Sequence, residues 1–449
     1  MTRVFGHFVA LEMLALWLLE FIPCLLALHI LLIPPGAGLW SDVATFQHAI
    51  ALALAVSATW AAIGLYQPEI CLQNWRLLVS TATGGVLALP ALLAVAFLFG
   101  IDTSDLVGGS TFRPLQFIAT WVAFLFATRF LFRLALRLNL FARPVLIVGS
   151  AADAARTQAA IGQVRAGFFS VVGRVAADDN RALAPAELAR QRVWAVVVTE
   201  EVRGDLPQDL LMRGKSTGVH IFNDVEFREQ QLRRIDLEHL AADWKLFAPG
   251  LTRGPLEDAL RRCVDLALSL GMLVLTLPVM ALTALLIHLD SPGPALYRQE
   301  RVGLHGRSFT LLKFRSMRLD AEAGGPAWAA RNDTRVTRIG NFLRLTRIDE
   351  LPQLFNVLKG EMAFVGPRPE RPHFVDQLAE VIPFYRDRTA VKPGITGWAQ
   401  VNYPYGASVE DARQKLSYDL YHVKRRSLFL DLLILVATVR VILFQEGSR

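Results

Sequence analysis

Two adjacent carboxylates, Asp349 and Glu350, stand in a stretch otherwise crowded with cations. Lys313 and Arg315 lie two residues apart, so an extended backbone puts both on one side of a strand. Arg335, Arg338, Arg344 and Arg347 follow, and Val365-Gly-Pro-Arg368-Pro-Glu370 has the pattern of a rigid turn that presents one guanidinium. Carboxylates supply nucleophiles, bases and metal ligands, while guanidinium and ammonium groups bind phosphate oxygens. Paired acids flanked by cations therefore suit chemistry on phosphorylated molecules. Asp349 is equally placed to be the N-cap of a helix, and Glu350 to be a first-turn acid favoured by the helix dipole. The arginines also suit a solvated or lipid-facing surface.

The element that must carry the acids is legible. Leu351, Leu354, Phe355 and Leu358 recur at i, i+3, i+4 and i+7, the pattern of an amphipathic helix. Proline is tolerated only in the first turn of a helix, so Pro352 predicts a helix that begins near Asp349.

Around this region the chain has the composition of a membrane protein. Its 449 residues correspond to about three structural units. Hydrophobic residues make up 53% and charged residues 19%, with a mean hydropathy of +0.36. Soluble proteins average about 45–50% apolar and about 25% charged, so disorder, collagen-like repeats and a disulfide scaffold are excluded. Lys and Arg number 47 against 40 Asp and Glu, a net charge of +7. Such an excess serves nucleic acid, anionic lipid or phosphorylated small molecules. The arginines adjoin apolar segments and no nucleic-acid motif is present, so no nucleic-acid partner is expected. Cys24, Cys71 and Cys263 form no CxxC pair and lie in or beside apolar runs, as small core residues do. No HExxH supports a zinc hydrolase.

Four apolar stretches, 9–33, 45–66, 77–100 and 115–137, are near or above the ~20 residues that cross a bilayer. The first is too long for a signal peptide and lacks a cleavage site. It carries Glu12 and Glu20. Carboxylates in a span can mark a transport path, but Glu12 is close enough to the end to reach the interface, which favours a structural role. Segments 34–44 and 101–114 hold Asp42, Asp102 and Asp105 with a single Arg113, whereas the fourth stretch ends in Arg129, Arg133, Arg137 and Arg143. The charge rule places those two loops outside and everything after residue 140 in the cytoplasm.

Next come candidate strands at 144–149, 171–175 and 193–198, alternating with helical stretches at 151–165, 185–192 and 205–217. Alternation of this kind predicts a small parallel α/β domain over about 143–247. Of a GxGxxG fingerprint, Gly149-Ser-Ala-Ala-Asp-Ala retains one glycine, so a structural or regulatory Rossmann-like domain is favoured over a cofactor-loaded one. A fifth apolar stretch, Cys263 to Leu289, has Pro278 in its interior and basic clusters on both sides: Arg253, Arg261 and Arg262 before, Arg298, Arg301 and Arg307 after. A full span would put one cluster outside. A helix that enters the cytoplasmic leaflet, bends near Pro278 and returns is the simpler expectation. The apolar run from Ser427 to Phe444, interrupted by Asp431 and Arg440, suits a helix at the interface. The expected fold is thus a four-span membrane helical bundle (1–142), a Rossmann-like α/β domain (143–250), and a mixed α/β catalytic domain (251–449). The last contains a re-entrant membrane helix at about 259–289 and a C-terminal interfacial helix. A basic cytoplasmic site tied to the membrane in this way suits the joining of a phosphorylated soluble substrate to a phosphorylated lipid.

Several blocks also carry a resemblance. In order, they are Arg261-Arg-Cys-Val-Asp265, Ser291-Pro-Gly-Pro, Tyr297-Arg-Gln-Glu-Arg-Val-Gly303, Lys313-Phe-Arg-Ser-Met317, Asp349-Glu350, Leu354-Phe-Asn-Val-Leu-Lys-Gly360, Val365-Gly-Pro-Arg-Pro369 and Lys392-Pro-Gly-Ile-Thr-Gly-Trp-Ala-Gln400. Together they resemble the monotopic phosphoglycosyl transferases of bacterial envelope-polysaccharide synthesis. The four spans and the α/β domain ahead of them look like the large form of that family. The tail Asn402 to Asp411 looks like its exopolysaccharide branch. Family members often have Ser-Pro at the helix break, where this chain has Leu277-Pro278.

The resemblance implies transfer of a hexose-1-phosphate from a UDP-sugar to polyprenyl (undecaprenyl) phosphate, with release of UMP. It implies Asp349 as nucleophile, Glu350 beside it, and Mg2+ held by Asp349 and Glu350. Arg315, Arg344 and Arg368 would clamp phosphate oxygens, with Lys313 as a point charge. Trp398 and Gln400 would contact base or sugar, or else form a packed turn. The implied partners are a UDP-sugar, polyprenyl phosphate and membrane lipid, and a homodimer is compatible with this organisation. The implied location is the bacterial inner membrane, with the catalytic domain on the cytoplasmic face. Two rival functions fit less well. A membrane-anchored nucleotide-sugar dehydratase or epimerase needs a full glycine fingerprint and a Tyr-xxx-Lys pair, and none of the seven tyrosines has Lys four residues later. A non-catalytic membrane scaffold leaves the acidic pair and the cation blocks without a role.

Overall fold

The computed structural model describes residues 2–4, 7–9, 11–33, 43–66, 74–101, 112–164, 168–176, 178–199, 202, 208–252, 254–319, 321, 333–403, 406 and 408–443. Asp42, Cys71, Asp102, Asp105 and Arg253 lie outside the described residues. Two units emerge, Met1–Leu232 and Arg233–Arg449. The second begins at Arg233, ahead of the expected boundary near 250. Ile235, Leu237, Trp244 and Ala248 are the reason, since they are buried in one core with Trp398, Leu416 and Leu420.

In the first unit, helices Leu11–Leu32, Val43–Ile63, Asn74–Leu98 and Phe112–Arg137 follow a short N-terminal hairpin. Ala49, Ala53, Val56 and Trp60 are buried along one stripe of the second helix, where small residues let neighbours approach closely. On the first helix, Leu19, Ile22, Leu26 and Ile30 are exposed, an arrangement suited to lipid rather than water. Among the described residues, four helices are long and apolar enough to cross a membrane: Glu12–Leu32, Val43–Ile63, Leu77–Leu98 and Pro255–Asp290. Three of these are expected spans. The expected fourth, Phe112–Arg137, is a helix of 26 residues that carries four arginines. Arg129 is fully buried in it, pairing with Glu20 at 2.8 Å and also donating to the Leu65 carbonyl. The Thr128 hydroxyl donates to the other Glu20 oxygen at 2.9 Å. Glu20 therefore neutralises an arginine inside the bundle, and Glu12 pairs with Arg143.

The α/β part is a four-stranded, wholly parallel sheet, ordered Phe169–Val175, Arg143–Val148, Ala195–Val198, His220–Asn223. Helices Ala151–Val164, Pro185–Arg190, Gln208–Ser216 and Asp224–Leu232 connect and follow the strands. The lone glycine of the first turn has a packing reason. Gly149 has φ +155°, and a Cβ there would lie 2.0 Å from the Thr199 hydroxyl oxygen.

The second unit is built on one continuous helix, Pro255–Asp290, with Pro278 inside it. Val274, Leu275 and Leu277 are exposed along its middle, and Cys263 is exposed rather than in the core as expected. An antiparallel hairpin, Leu296–Val302 with Ser308–Phe314, follows. Helices Arg338–Thr346, Gln353–Lys359 and Pro372–Val381 come next, with short parallel strands Ala363–Val365 and Gly394–Thr396. The chain then forms helix Val409–Arg425, started by a Ser408–Asp411 capping box, and helix Leu428–Leu443. The last helix buries Leu430 and Ile434 and exposes Leu432, Val439 and Ile442, one apolar face in the core and another outside.

Removing one partner of a buried pair leaves an uncompensated charge, which costs about 3–5 kcal/mol. Glu20→Ala is therefore expected to lower the melting temperature of the detergent-solubilised protein sharply. The double change Glu20→Leu/Arg129→Met should return it close to the parent, and a single variant as stable as the parent would contradict this role.

Candidate active site

Lys313 sits on the second hairpin strand opposite Tyr297. Asn356, fully buried on helix Gln353–Lys359, fastens that helix to the same strand. Its Oδ1 accepts from the Leu312 amide at 3.0 Å and its Nδ2 donates to the Thr310 carbonyl at 2.7 Å. Helix Arg338–Thr346 starts at Thr337, whose hydroxyl accepts from the Gly340 amide at 2.9 Å, and stops at Arg347 in the left-handed region with φ 60°. A Cβ at Gly340 would lie 2.0 Å from the Ser316 carbonyl oxygen, so glycine is required where this helix crosses the segment after the hairpin.

Between the two helices, Ile348–Glu350 form a single 3-10 turn, and the following helix begins at Gln353 with Pro352 at its N-cap. Asp349 is therefore not the N-cap expected from the sequence. The turn places it ahead of the helix, 7% exposed, with a buried Oδ1 that has no hydrogen-bond partner among the described residues. Glu350 is not a simple first-turn acid either. Arg368 Nη2 lies 2.6 Å from its Oε1, and Arg368 Nη1 lies 3.4 Å from its Oε2. Lys313 Nζ and Arg347 Nη1 approach Oε1 at 3.5 and 3.6 Å.

Electrostatics divide the two acids. Burial opposes ionisation of Glu350, but Arg368 and Lys313 outweigh it and hold its carboxyl far below the usual range. The Glu350 charge in turn raises Arg368. Burial raises Asp349 above the ordinary aspartate value, against the pull of Lys313 and with the push of the Glu350 charge. Burial also lowers Lys313, against Glu350. The result is one locked carboxylate and one unpartnered one, side by side. The Arg368 side chain remains 32% exposed, so its fork can also meet a ligand.

The remaining expected site residues divide. Arg344 stands close enough to Asp349 to favour its charge, and its Nε donates to Ser316 Oγ at 3.0 Å. Arg315 is turned elsewhere. Its guanidinium donates to the Pro292 and Ser291 carbonyls, each at 2.7 Å, and closes the exit of the long helix. A Cβ at Gly293 (φ +112°) would lie 2.4 Å from Arg315 Nη1, which accounts for the glycine of the Ser291-Pro-Gly-Pro block. Trp398 and Gln400 lie in a packed turn. Trp398 is buried in the main core and donates to the Arg233 carbonyl at 2.8 Å, and Gln400 donates to the Ile395 carbonyl at 3.1 Å. Sequence reasoning missed the roles of Arg347 and Asn356. The Asn within Leu354-Phe-Asn-Val-Leu was a usable signal, because a polar residue on a helix face meant for burial needs partners.

Toward a divalent cation, the two acids would differ in what they have left to offer. The unpartnered Asp349 Oδ1 offers one ligand atom, whereas both Glu350 oxygens already face cations. Among the described residues, the cluster of three close ligand groups is Asp236, Glu238 and His239, and it does not include the pair.

Because Arg315 serves carbonyls, Arg315→Ala is expected to destabilise the protein by about 1–3 kcal/mol while leaving the Michaelis constant of the soluble substrate unchanged. Unaltered melting with a raised Michaelis constant would make Arg315 a ligand for phosphate instead.

The profile of the bacterial sugar transferase family matches residues 256–445, which contain every residue of the site. A UDP-N-acetylgalactosamine-undecaprenyl-phosphate N-acetylgalactosaminephosphotransferase from Aeromonas hydrophila is 42% identical over 231 residues, 51% of this chain and 54% of that protein. The chain thus spans about half the length of that relative. A UDP-glucose:undecaprenyl-phosphate glucose-1-phosphate transferase from Caulobacter vibrioides is 43% identical over 201 residues, 43% of this chain and 75% of that protein. An exopolysaccharide production protein from Rhizobium leguminosarum bv. phaseoli is 42% identical over 193 residues, 41% of this chain and 95% of that protein. With most of two such relatives matched, and the acidic pair, its cations and its glycines assembled in one unit, the chain belongs to the bacterial sugar transferase family.

Proposed function

We propose that the protein transfers a hexose-1-phosphate from a UDP-sugar to polyprenyl phosphate, releasing UMP, as the first membrane step of exopolysaccharide synthesis. The observation that carries this is the asymmetry of the acids. Glu350 is locked by Arg368, Lys313 and Arg347, while Asp349 keeps a free oxygen beside the same cations. The Asp349 oxygen attacks the sugar-bearing phosphorus of the donor. A P–O bond to the aspartate forms, the bond to UMP breaks, and UMP leaves with the electron pair. A phosphate oxygen of the lipid then attacks the same phosphorus, and the Asp349 carboxylate departs. Two half-reactions let a soluble and a membrane-bound substrate use one site in turn. Arg368 and Arg344 hold phosphate oxygens, and Lys313 neutralises charge as the anions meet. Asp349 would be the acid of the pair to hold Mg2+, which would supply further neutralisation of the diphosphate. The activities named for the Aeromonas and Caulobacter relatives support the substrate classes.

The helix Pro255–Asp290 is read as re-entrant, with the site on the cytoplasmic face of the inner membrane. Both ends of the helix hold the same unit, which supports this. Near the start, Arg262 donates to the Val357 and Leu358 carbonyls at 2.7 and 2.8 Å, and Asp265 accepts from the Phe364 amide at 2.8 Å. Past Pro278, Met280 and Ile287 pack with Phe314 and Leu343. The parallel sheet of the first unit is read as a Rossmann-like domain of structural or regulatory use.

Purified protein incubated with a panel of UDP-sugars and polyprenyl phosphate is expected to release UMP with one of them. Asp349→Asn should abolish release while membrane insertion persists, and normal turnover in that variant would rule out the nucleophile. A cysteine placed at His305 is expected to react with impermeant maleimide only from the cytoplasmic side; labelling from outside would eliminate the re-entrant helix.

A further inference from the structure

We infer that Arg388 is a positioning residue of the transfer site, holding the Pro367-Arg368-Pro369 turn so that the Arg368 guanidinium meets Glu350. The inference rests on the phosphoryl-transfer reading above. Arg388 lies on the 3-10 segment Tyr385–Ala390 and is 8% exposed. Its Nη2 donates to the Arg368 carbonyl at 2.9 Å and to Asp419 Oδ2 at 2.8 Å. Its Nη1 donates to the Tyr385 hydroxyl at 3.1 Å. Asp419, 2% exposed, comes from helix Val409–Arg425. One guanidinium thus ties two core elements to the backbone of the residue that grips the acid.

The neighbouring residues of the turn have their own anchors. The Gly366 amide donates to Thr396, the Gly394 amide to the Pro367 carbonyl, Arg301 to the Pro369 carbonyl, and the Val302 amide to the Glu370 carbonyl. Both prolines lack an N–H, so they give the turn no amide hydrogen bond at those positions. At residue 368 itself the carbonyl is held by Arg388. The turn and Arg388 together line a small, half-open cleft, with Pro367, Arg368 and Pro369 on one side and Arg388 and Pro393 among the rest of its wall. A buried ion pair is a weak source of stability, and apolar residues of similar size can replace it. What such a replacement cannot supply is a donor aimed at the Arg368 carbonyl.

The test uses the full chain in detergent with a UDP-sugar and polyprenyl phosphate. Arg388→Met/Asp419→Leu removes both charges, so no unpaired buried charge remains, while the Arg368 carbonyl and the Tyr385 hydroxyl lose their donor. It should stay folded with a modestly lowered melting temperature and lower kcat about tenfold or more at a temperature well below melting, since small misplacement of a catalytic group is costly. In an Arg368→Lys background the same double change should lower kcat by less than about twofold, because a role exercised through Arg368 is already lost there. Arg388→Lys, which keeps the cation for Asp419 without the planar fork, should also lose kcat and gives the same reading if the double variant does not fold. Equal fold-losses in both backgrounds, or an unchanged kcat in a stable variant, would overturn the inference. Failure of the parent to release UMP from any UDP-sugar would instead strike the functional reading.

Discussion

The buried pairing of Glu350 with Arg368 is the interaction on which the site depends. Arg368, Lys313 and Arg347 converge from a turn, a strand and a helix end, and without a carboxylate among them they would repel one another. Glu350 supplies that charge and is held ionised by it. The cations are thereby gathered at one spot, and the adjacent Asp349 is left as the acid with an unmatched oxygen. Two neighbouring residues of the same chemistry thus acquire different roles from their surroundings alone. The 3-10 turn is essential to this split, because a regular helix beginning at Asp349 would have used its carboxylate on backbone amides.

The proposed reaction has a second requirement, that a water-soluble donor and a lipid acceptor meet at that spot. The long apolar helix answers it. Its first turns are fastened to the backbone at Val357, Leu358 and Phe364, and its exit is closed by Arg315 over Gly293. The Arg315 segment then leads through Ser316 to the Gly340 crossing and Arg344. The membrane element and the acidic pair are therefore joined by a short series of hydrogen bonds and close backbone contacts. A covalent aspartyl intermediate suits this construction, because neither substrate has to wait for the other inside one crowded pocket.

Much of this was legible in the sequence where the signal is local. Apolar periodicity gave the helix after Pro352, the valine-rich runs gave the parallel strands, and the acidic pair among arginines pointed to the candidate site. What escaped depends on partners distant in the chain. Arg315 and Arg368 look alike in sequence, yet one meets carbonyls and the other a carboxylate. Trp398 and Gln400 look like ligand contacts because aromatic and amide groups often are, whereas the structure shows Trp398 buried with the segment that begins at Arg233 and Gln400 bonded to the Ile395 carbonyl. Arg347 was not singled out from its neighbours, since only its left-handed backbone turns it back toward Glu350.

The central claim is that Asp349 itself accepts the sugar-phosphoryl group. Mass spectrometry of the protein after exposure to its UDP-sugar alone, without lipid, tests it most directly. The expected result is a mass increase equal to one hexose-phosphate on the peptide containing Asp349, with an equal amount of UMP released. UMP formation that begins only when polyprenyl phosphate is added, with that peptide never modified during turnover, would contradict it.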